Sequence, residues 1–440
     1  MSGTLTAKTP GAEFLESLKS DFANYLKQAG DSNFVNQRKQ AFDLFLNQGL
    51  PTPAHEEWKY TNLRKAYEAN LATTCLQEEG IADLLASSVL NGLDAYKLVF
   101  VNGCFQPHLS AMPQAGDLVL LPLSEARKQH AAAFDAHFGK YIPLEGYSLN
   151  ALNTALMSDG AFVQIKKNKK ADKPVILFQI SDSSLVNAFS QPRNLVIVEE
   201  GADLHLIESF LSNGNGTSFT NAVTEVMVDK NAHLEHYKLQ RQSDTNYLNH
   251  FTQIHQEADT SINHVTLTLS GNMVRNNLHF YMNGRNCNSL LYGLYITDGN
   301  EFVDNHTRVD HAMPDCFSDE KYKGILKDQS TAVFNGKIMV HLDAQKTNAY
   351  QRNQNILLSK DAVVNTKPQL EIFADDVKCT HGATIGQLDE EPLFYLRSRG
   401  IPENEARKLL LNAFADDIAE KINIPELVQV LEDEIARKIS

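Results

Sequence analysis

Four short fragments, "GADLHL", "NAHLEH", "DTSINH" and "CNSLLY", each place a small or polar turn before an apolar anchor. The anchors Leu204, Leu234, Ile262 and Leu290 are separated by 30, 28 and 28 residues. A repeat of that length with strand-like content implies a solenoid, in which every rung buries its inward side chains against its neighbours. "STAVFNGKIMV" and "DAVVNTKPQLEIF" read as further rungs at less regular spacing. A sandwich of long hairpins satisfies the same turn signals but leaves the period unexplained. A solenoid also accounts for the many His, Asn, Gln and Thr residues in the strands, because one face of each rung meets solvent and polar side chains there stack in ladders. Eleven of the fifteen histidines lie between His205 and His381. On an exposed sheet face such histidines are usually only solvated or hydrogen-bonded.

Strands dominate from about Tyr96 to Leu388, in runs such as "YKLVFVNGCF", "DLVLLPL" and "PVILFQIS" bounded by Gly, Asn, Asp or Pro. Upstream the period is helical. Phe14, Leu15, Leu18, Phe22 and Leu26 form one face of a helix ending near Gly30, and Phe34 to Leu46 form a second that stops at Gly49. The lone tryptophan, Trp58 in "HEEWKYTNL", reads as an anchor clamping this arm to the downstream part of the chain. Downstream of "EPLFYLRSRG", Leu410, Phe414, Ile418 and Ile422 recur at spacing four, and a last helix follows Pro425. These helices either cap the solenoid's open end or offer a docking face to another protein. The expected organisation is a helical region over 1–95, a mainly β core over 96–388 and a helical region over 389–440.

The chain has 440 residues, 42% of them hydrophobic, and no apolar run long enough to span a bilayer. Its start lacks the cationic lead and apolar stretch of a cleaved signal, so a cytoplasmic location is expected. Five scattered cysteines without a CxxC pair fit free thiols in a reducing compartment. A formal net charge of −14 repels a phosphate backbone, which argues against nucleic acid. No Walker loop, GxSxG elbow or strand-linked GxGxxG is present, so autonomous nucleotide chemistry is not expected.

Two stretches carry metal-ligand inventory. In "DDVKCTHGATIG" the alternation of a strand puts Cys379 and His381 on one side, where a thiolate and an imidazole suit iron, zinc or a cluster edge. Two ligands leave a tetrahedral site half built, so the rest come from elsewhere in the chain or from a second chain. As a nucleophile and base the pair lacks an orienting group, and from the residues alone the choice between ligand and structural role stays open. Asp375 and Asp376 read as turn residues. The second stretch, "DNHTRVDHAMPDCFS", holds His306, Asp310, His311, Asp315 and Cys316, but its spacings match no ligand pattern. Inward, hydrogen-bonded polar residues at a rung corner are expected there.

The run from "NHTRVDHAMPDC" through "VFNGKI", "DAQKT", "KPQLEI" and "CTHGATIGQLD" resembles the SufB/SufD family of iron–sulfur cluster assembly proteins. At motif level the likeness covers about the last third of the chain, and "EEWKYTNL" looks like the family's N-terminal region. The resemblance implies a right-handed parallel β-helix between helical regions, acting as a non-enzymatic scaffold. It implies pairing with a SufB-like paralogue through the β-helix and with a SufC-like ATPase through the C-terminal helices, around Leu410, Phe414 and Ile418. Cys379 and His381 match the family's Cys-x-His, which faces the paralogue where the nascent cluster forms, with Thr380 where the family more often has Ser. No tightly bound cofactor is implied, only a transient iron–sulfur cluster shared with the paralogue. SufB itself is usually longer and carries further cysteines that accept sulfur; no counterpart is found here, so the likeness is to the SufD branch. The surface meant for the paralogue also allows a homodimer of the isolated chain. Two rival readings are a β-helix polysaccharide lyase or hydrolase, with acids and histidines along one groove, and a purely structural homodimer.

Overall fold

The computed structural model describes residues 11–30, 32–75, 80–114 and 116–439. The chain winds into a parallel β-solenoid of about eight turns, flanked by helices from both ends of the sequence. Each turn gives one strand to each of two facing sheets. One sheet climbs from Arg193–Val198 through Ser218–Val228 and every second strand thereafter to Val363–Ile372. The other climbs from Val175–Asp182 through Asp203–Asn213 to Val377–Gly386. Antiparallel pairs close the lower end, where Tyr96–Val101 meets Cys104–Phe105 and Leu118–Pro122 meets Ala161–Ile165.

The rung period comes from a column of left-handed backbone positions. Gly201, Asn231, Asp259, Asn286, Asp315 and Lys346 all have positive φ, between 57° and 67°. Five of the six are Gly, Asn or Asp, the residues that enter this region at least cost. The inward anchor lies three residues beyond each turn: Leu204, Leu234 and Ile262 share one register, and the next partner is Ser289. Leu290 therefore misses the expected column. The turn from Asp259 to Asn286 is one residue shorter than the one before it, and a one-residue slip sends a strand side chain to the opposite face.

Polar ladders also differ from expectation. An Asn221–Asn249–Asn277 ladder does lie on the outer face of the first sheet, but it is buried, and Asn221 reaches the helix Ser148–Leu156 through the Leu149 carbonyl. The richer set points inward. Glu208 accepts from His236 (2.8 Å), Thr224 (2.8 Å) and Asn194 (3.0 Å), Gln240 accepts from Thr268 (2.7 Å), and all of them are buried. Most of the histidines of these strands are thus satisfied or shielded residues rather than solvated ones.

The N-terminal helices Ala12–Gln28 and Asn33–Gln48 cover the outer face of the first sheet, packing Phe14, Phe22, Phe42 and Phe45 with Phe189, Phe219 and Tyr247. Ser32 caps the second of them and Gly49, at φ 72°, ends it. Trp58 anchors as expected, with the Arg275 guanidinium 4.1 Å above its ring. Three helices, Leu123–Gln129, Ala131–His137 and Ser148–Leu156, interrupt the stretch expected to be strand-rich. The cysteine expectation needs correction at two positions: Cys75 and Cys104 form a disulfide, while Cys287, Cys316 and Cys379 are free. No helix among the described residues is long and apolar enough to cross a membrane.

The C-terminal helices Glu403–Ala419 and Pro425–Ile439 lie along the outer face of the second sheet. Leu411, Ile418, Leu427, Leu431 and Ile435 pack on Tyr237, Leu267, Leu294 and Ile325. They flank the solenoid rather than cap it. Its last rung, Val363–Ile372 and Val377–Gly386, stands at the end of both sheets with most of its side chains exposed or only half-buried.

Candidate functional site

Cys379 and His381 occupy that last rung. The strand Val377–Gly386 pairs in parallel with Thr347–Leu357 on one side, and no described strand continues the sheet on the other. Its register sets Cys379 above Ala349 and His381 above Gln351. Ala349 and Gln351 are fully buried residues of the inward row, so the thiol and imidazole sit over the mouth of the lumen, side by side on one face. Cys379 is half-buried against the apolar interior, and His381 is exposed. Burial pushes the Cys379 thiol above its ordinary pKa, opposed by a backbone hydrogen bond from Ala349, so the isolated chain keeps it protonated.

Same-face neighbours on a strand are about 7 Å apart at the Cα, within reach of one shared ligand between their tips. Among the described residues no group of three or more His, Cys, Asp or Glu side chains is placed to hold a metal ion. Within the described residues Cys379 and His381 thus stand as a pair, with no third such side chain gathered beside them. Asp376 takes the expected turn role: its N–H donates to Gln345 Oε1 (2.9 Å) and its carbonyl accepts from the Lys346 N–H (2.6 Å).

The second stretch does not assemble into a centre. Of its five candidate ligands only His311 and Cys316 are directed into the interior; His311 pairs with Ser318 (2.9 Å), and burial pushes its pKa down to about 3. Outside, His306 faces Asp304 (3.0 Å), Asp310 holds Arg308 (2.6 Å) and Asp315 meets Arg285 (2.7 Å). Strand alternation sends these neighbours to opposite sides of the sheet.

The apolar residues of the C-terminal helices sort differently from expectation. Ile418 is fully buried, and Leu410 and Phe414 are half-buried in the seam with the sheet. Lys323 Nζ lies 4.4 Å over the Phe414 ring and donates to the Phe414 carbonyl at 2.7 Å. The exposed apolar side chains nearby are Phe394 (73% exposed), Tyr395 and Leu409. A second exposed apolar group, Val363, Ile372, Phe373 and Ile385, fringes the last rung.

Two buried residues beneath His381 escaped the sequence reading. Gln351 lies one rung below it and Glu320 two rungs below, in the same inward row. Counting down from His381 by one rung of 30 residues and then one of 31 reaches both.

The fold defines a class: a parallel β-solenoid flanked by helices, whose last rung carries a thiol and an imidazole on strands that no further described strand covers. Comparison with known proteins narrows this. Residues 178–414 match the family model described as SUF system FeS cluster assembly, SufBD core domain, and residues 13–177 match the SufBD protein N-terminal region. The chain is 32% identical to the iron–sulfur cluster assembly protein SufD of Escherichia coli, over 94% of this chain and 96% of that protein. It is 33% identical to an iron–sulfur cluster assembly SufBD family protein of Synechocystis (90% and 89% covered), and 25% identical to SufD of Bacillus subtilis (92% and 93%). The chain belongs to the SufBD family of iron–sulfur cluster assembly proteins.

Proposed function

We propose that this chain is a non-enzymatic, SufD-type scaffold subunit of an iron–sulfur cluster assembly complex, working in the cytoplasm. The observation that carries the reading is the position of Cys379 and His381, in the inward row of the terminal rung where no further described strand covers them. Thiolates are the usual ligands of iron–sulfur clusters and histidine replaces some of them in special cases, so this donor set suits half of a shared site. A SufB-like paralogue adding its own rungs to the open end supplies the other half. The cluster is cargo: mixed and divided coordination holds it less firmly than a closed set of four cysteines, which suits a protein that must hand it on. The apolar fringe of Val363, Ile372, Phe373 and Ile385 favours such pairing, since burial of each removes apolar surface from water at about 25 cal/mol per Å².

The ATPase-docking role expected of Leu410, Phe414 and Ile418 passes to residues that face outward. Phe394, Tyr395 and Leu409 form the surface offered to a SufC-like ATPase, while the buried set fixes the helices to the solenoid and carries their movement to it. Anaerobic reconstitution of the three-protein complex tests the reading. Cys379→Ser and His381→Ala together should abolish the visible absorption of an assembled cluster while the complex still forms. Full absorption in that double variant would refute it.

A further inference from the structure

The lumen beneath His381 holds a carboxylate and an amide whose hydrogen bonds are incomplete. Glu320 and Gln351 stack in the inward row, and both are fully buried. Gln351 Nε2 donates to Glu320 Oε2 at 2.9 Å. Gln351 Oε1 has no hydrogen-bond partner among the described residues. Room for the amide is provided from the facing sheet, where a side chain at Gly336 would put a Cβ 2.4 Å from Gln351 Nε2. Leaving a buried polar atom unsatisfied is costly, and an apolar side chain of this shape would avoid that cost. The arrangement therefore calls for a donor, and the next residue up the row is His381.

We propose that Gln351, held by Glu320, is a positioning residue for His381. Once a partner covers the open rung, the amide oxygen accepts the imidazole N–H. In its ionised form Glu320 can only accept, and it then obliges the amide to present Nε2 to it and Oε1 to the ring above. A hydrogen bond to one ring nitrogen fixes the tautomer and leaves the other nitrogen's lone pair free for a metal. Carboxylate, amide and imidazole form one orienting column, three rungs deep. This rests on the reading of His381 as a donor given above.

The test uses the cluster-free three-protein complex with ¹⁵N-histidine in this chain, examined by solid-state NMR at mildly alkaline pH, with His381→Ala assigning the signals. The wild type should show His381 in a single tautomer, with two well-separated ring-nitrogen resonances. Gln351→Met should replace that pattern by two tautomers. Should the methionine variant fail to assemble, Gln351→Asn, which keeps the amide but falls a methylene short, decides in its place. A wild-type ring already in two tautomers, or an assembled variant with an unchanged single tautomer, would overturn the proposal. If His381→Ala leaves cluster formation intact while the wild-type ring is still locked by Gln351, the donor reading fails and the positioning stands; the opposite pair of results separates them the other way.

Discussion

Glu320→Gln should stabilise the chain, and by more at alkaline than at acid pH. Glu320 is fully buried in the lumen, faced by Gln351 from the rung above and Thr307 from the opposite sheet, with Asp319 and Tyr322 beside it and no cation paired to it among the described residues. Burial raises its pKa from 4.5 to about 7, against the hydrogen bond from Gln351 that lowers it. Because the folded pKa lies above the unfolded one, the folded chain holds this proton more tightly. Well below the unfolded pKa both states are protonated and the acid costs nothing; as pH rises from the unfolded value through the folded one, the ionised group becomes a full liability. A shift of about 2.5 units corresponds to about 3 kcal/mol once both states are ionised. Glutamine keeps the shape and still accepts from Gln351, without the charge. Urea unfolding of both proteins across the range from about pH 5 to about pH 8 should show the variant's advantage growing by about 2–3 kcal/mol. An advantage that stays constant, or a variant destabilised at the alkaline end, would refute the argument.

Gly293→Ala should lower stability by about 1–3 kcal/mol, since its Cβ would lie 2.2 Å from a ring atom of buried Tyr322; thermal unfolding reads the loss. Replacing Cys75 by Ser should cost about 3–4 kcal/mol for a loop of this length, seen as a urea midpoint below the parent's under oxidising conditions and equal to it once the parent is reduced. Phe394→Asp with Tyr395→Ser should leave the isolated chain within about 0.5 kcal/mol of the parent yet abolish co-elution with a SufC-like ATPase. Ile418→Asp, which buries a charge, should cost about 3 kcal/mol or more and expose the C-terminal helices to protease.

What was legible in the sequence was whatever a local pattern dictates. The helices at both ends announce themselves by apolar spacing, Gly49 ends one of them, and the repeat emerges because left-handed turns demand Gly, Asn or Asp. The shared side of Cys379 and His381 needed only strand alternation. Leu290 misled because an apolar side chain is welcome on either face when helices cover the outside: it packs in the seam beneath them while Ser289 takes the inner place. Leu410, Phe414 and Ile418 misled for a related reason, as spacing reveals an apolar stripe but not what covers it. The helices over 123–156 are short and Ala- or Asn-rich, with too few turns to establish a period. Glu320 and Gln351 were hidden because a polar residue inside a β-solenoid looks, by alternation alone, the same as one facing water.

The uncovered rung also bears on how such a chain must be supplied. Its two terminal strands leave rows of backbone N–H and C=O groups ready to accept any extended segment, and Lys367 and Lys378 are the only lysines standing on those strands to discourage a wrong one. Molecules made in excess of whatever normally seals that end are seeds for edge-to-edge association. On the pairing proposed above, synthesis of this chain is therefore safest when it keeps pace, copy for copy, with its partner.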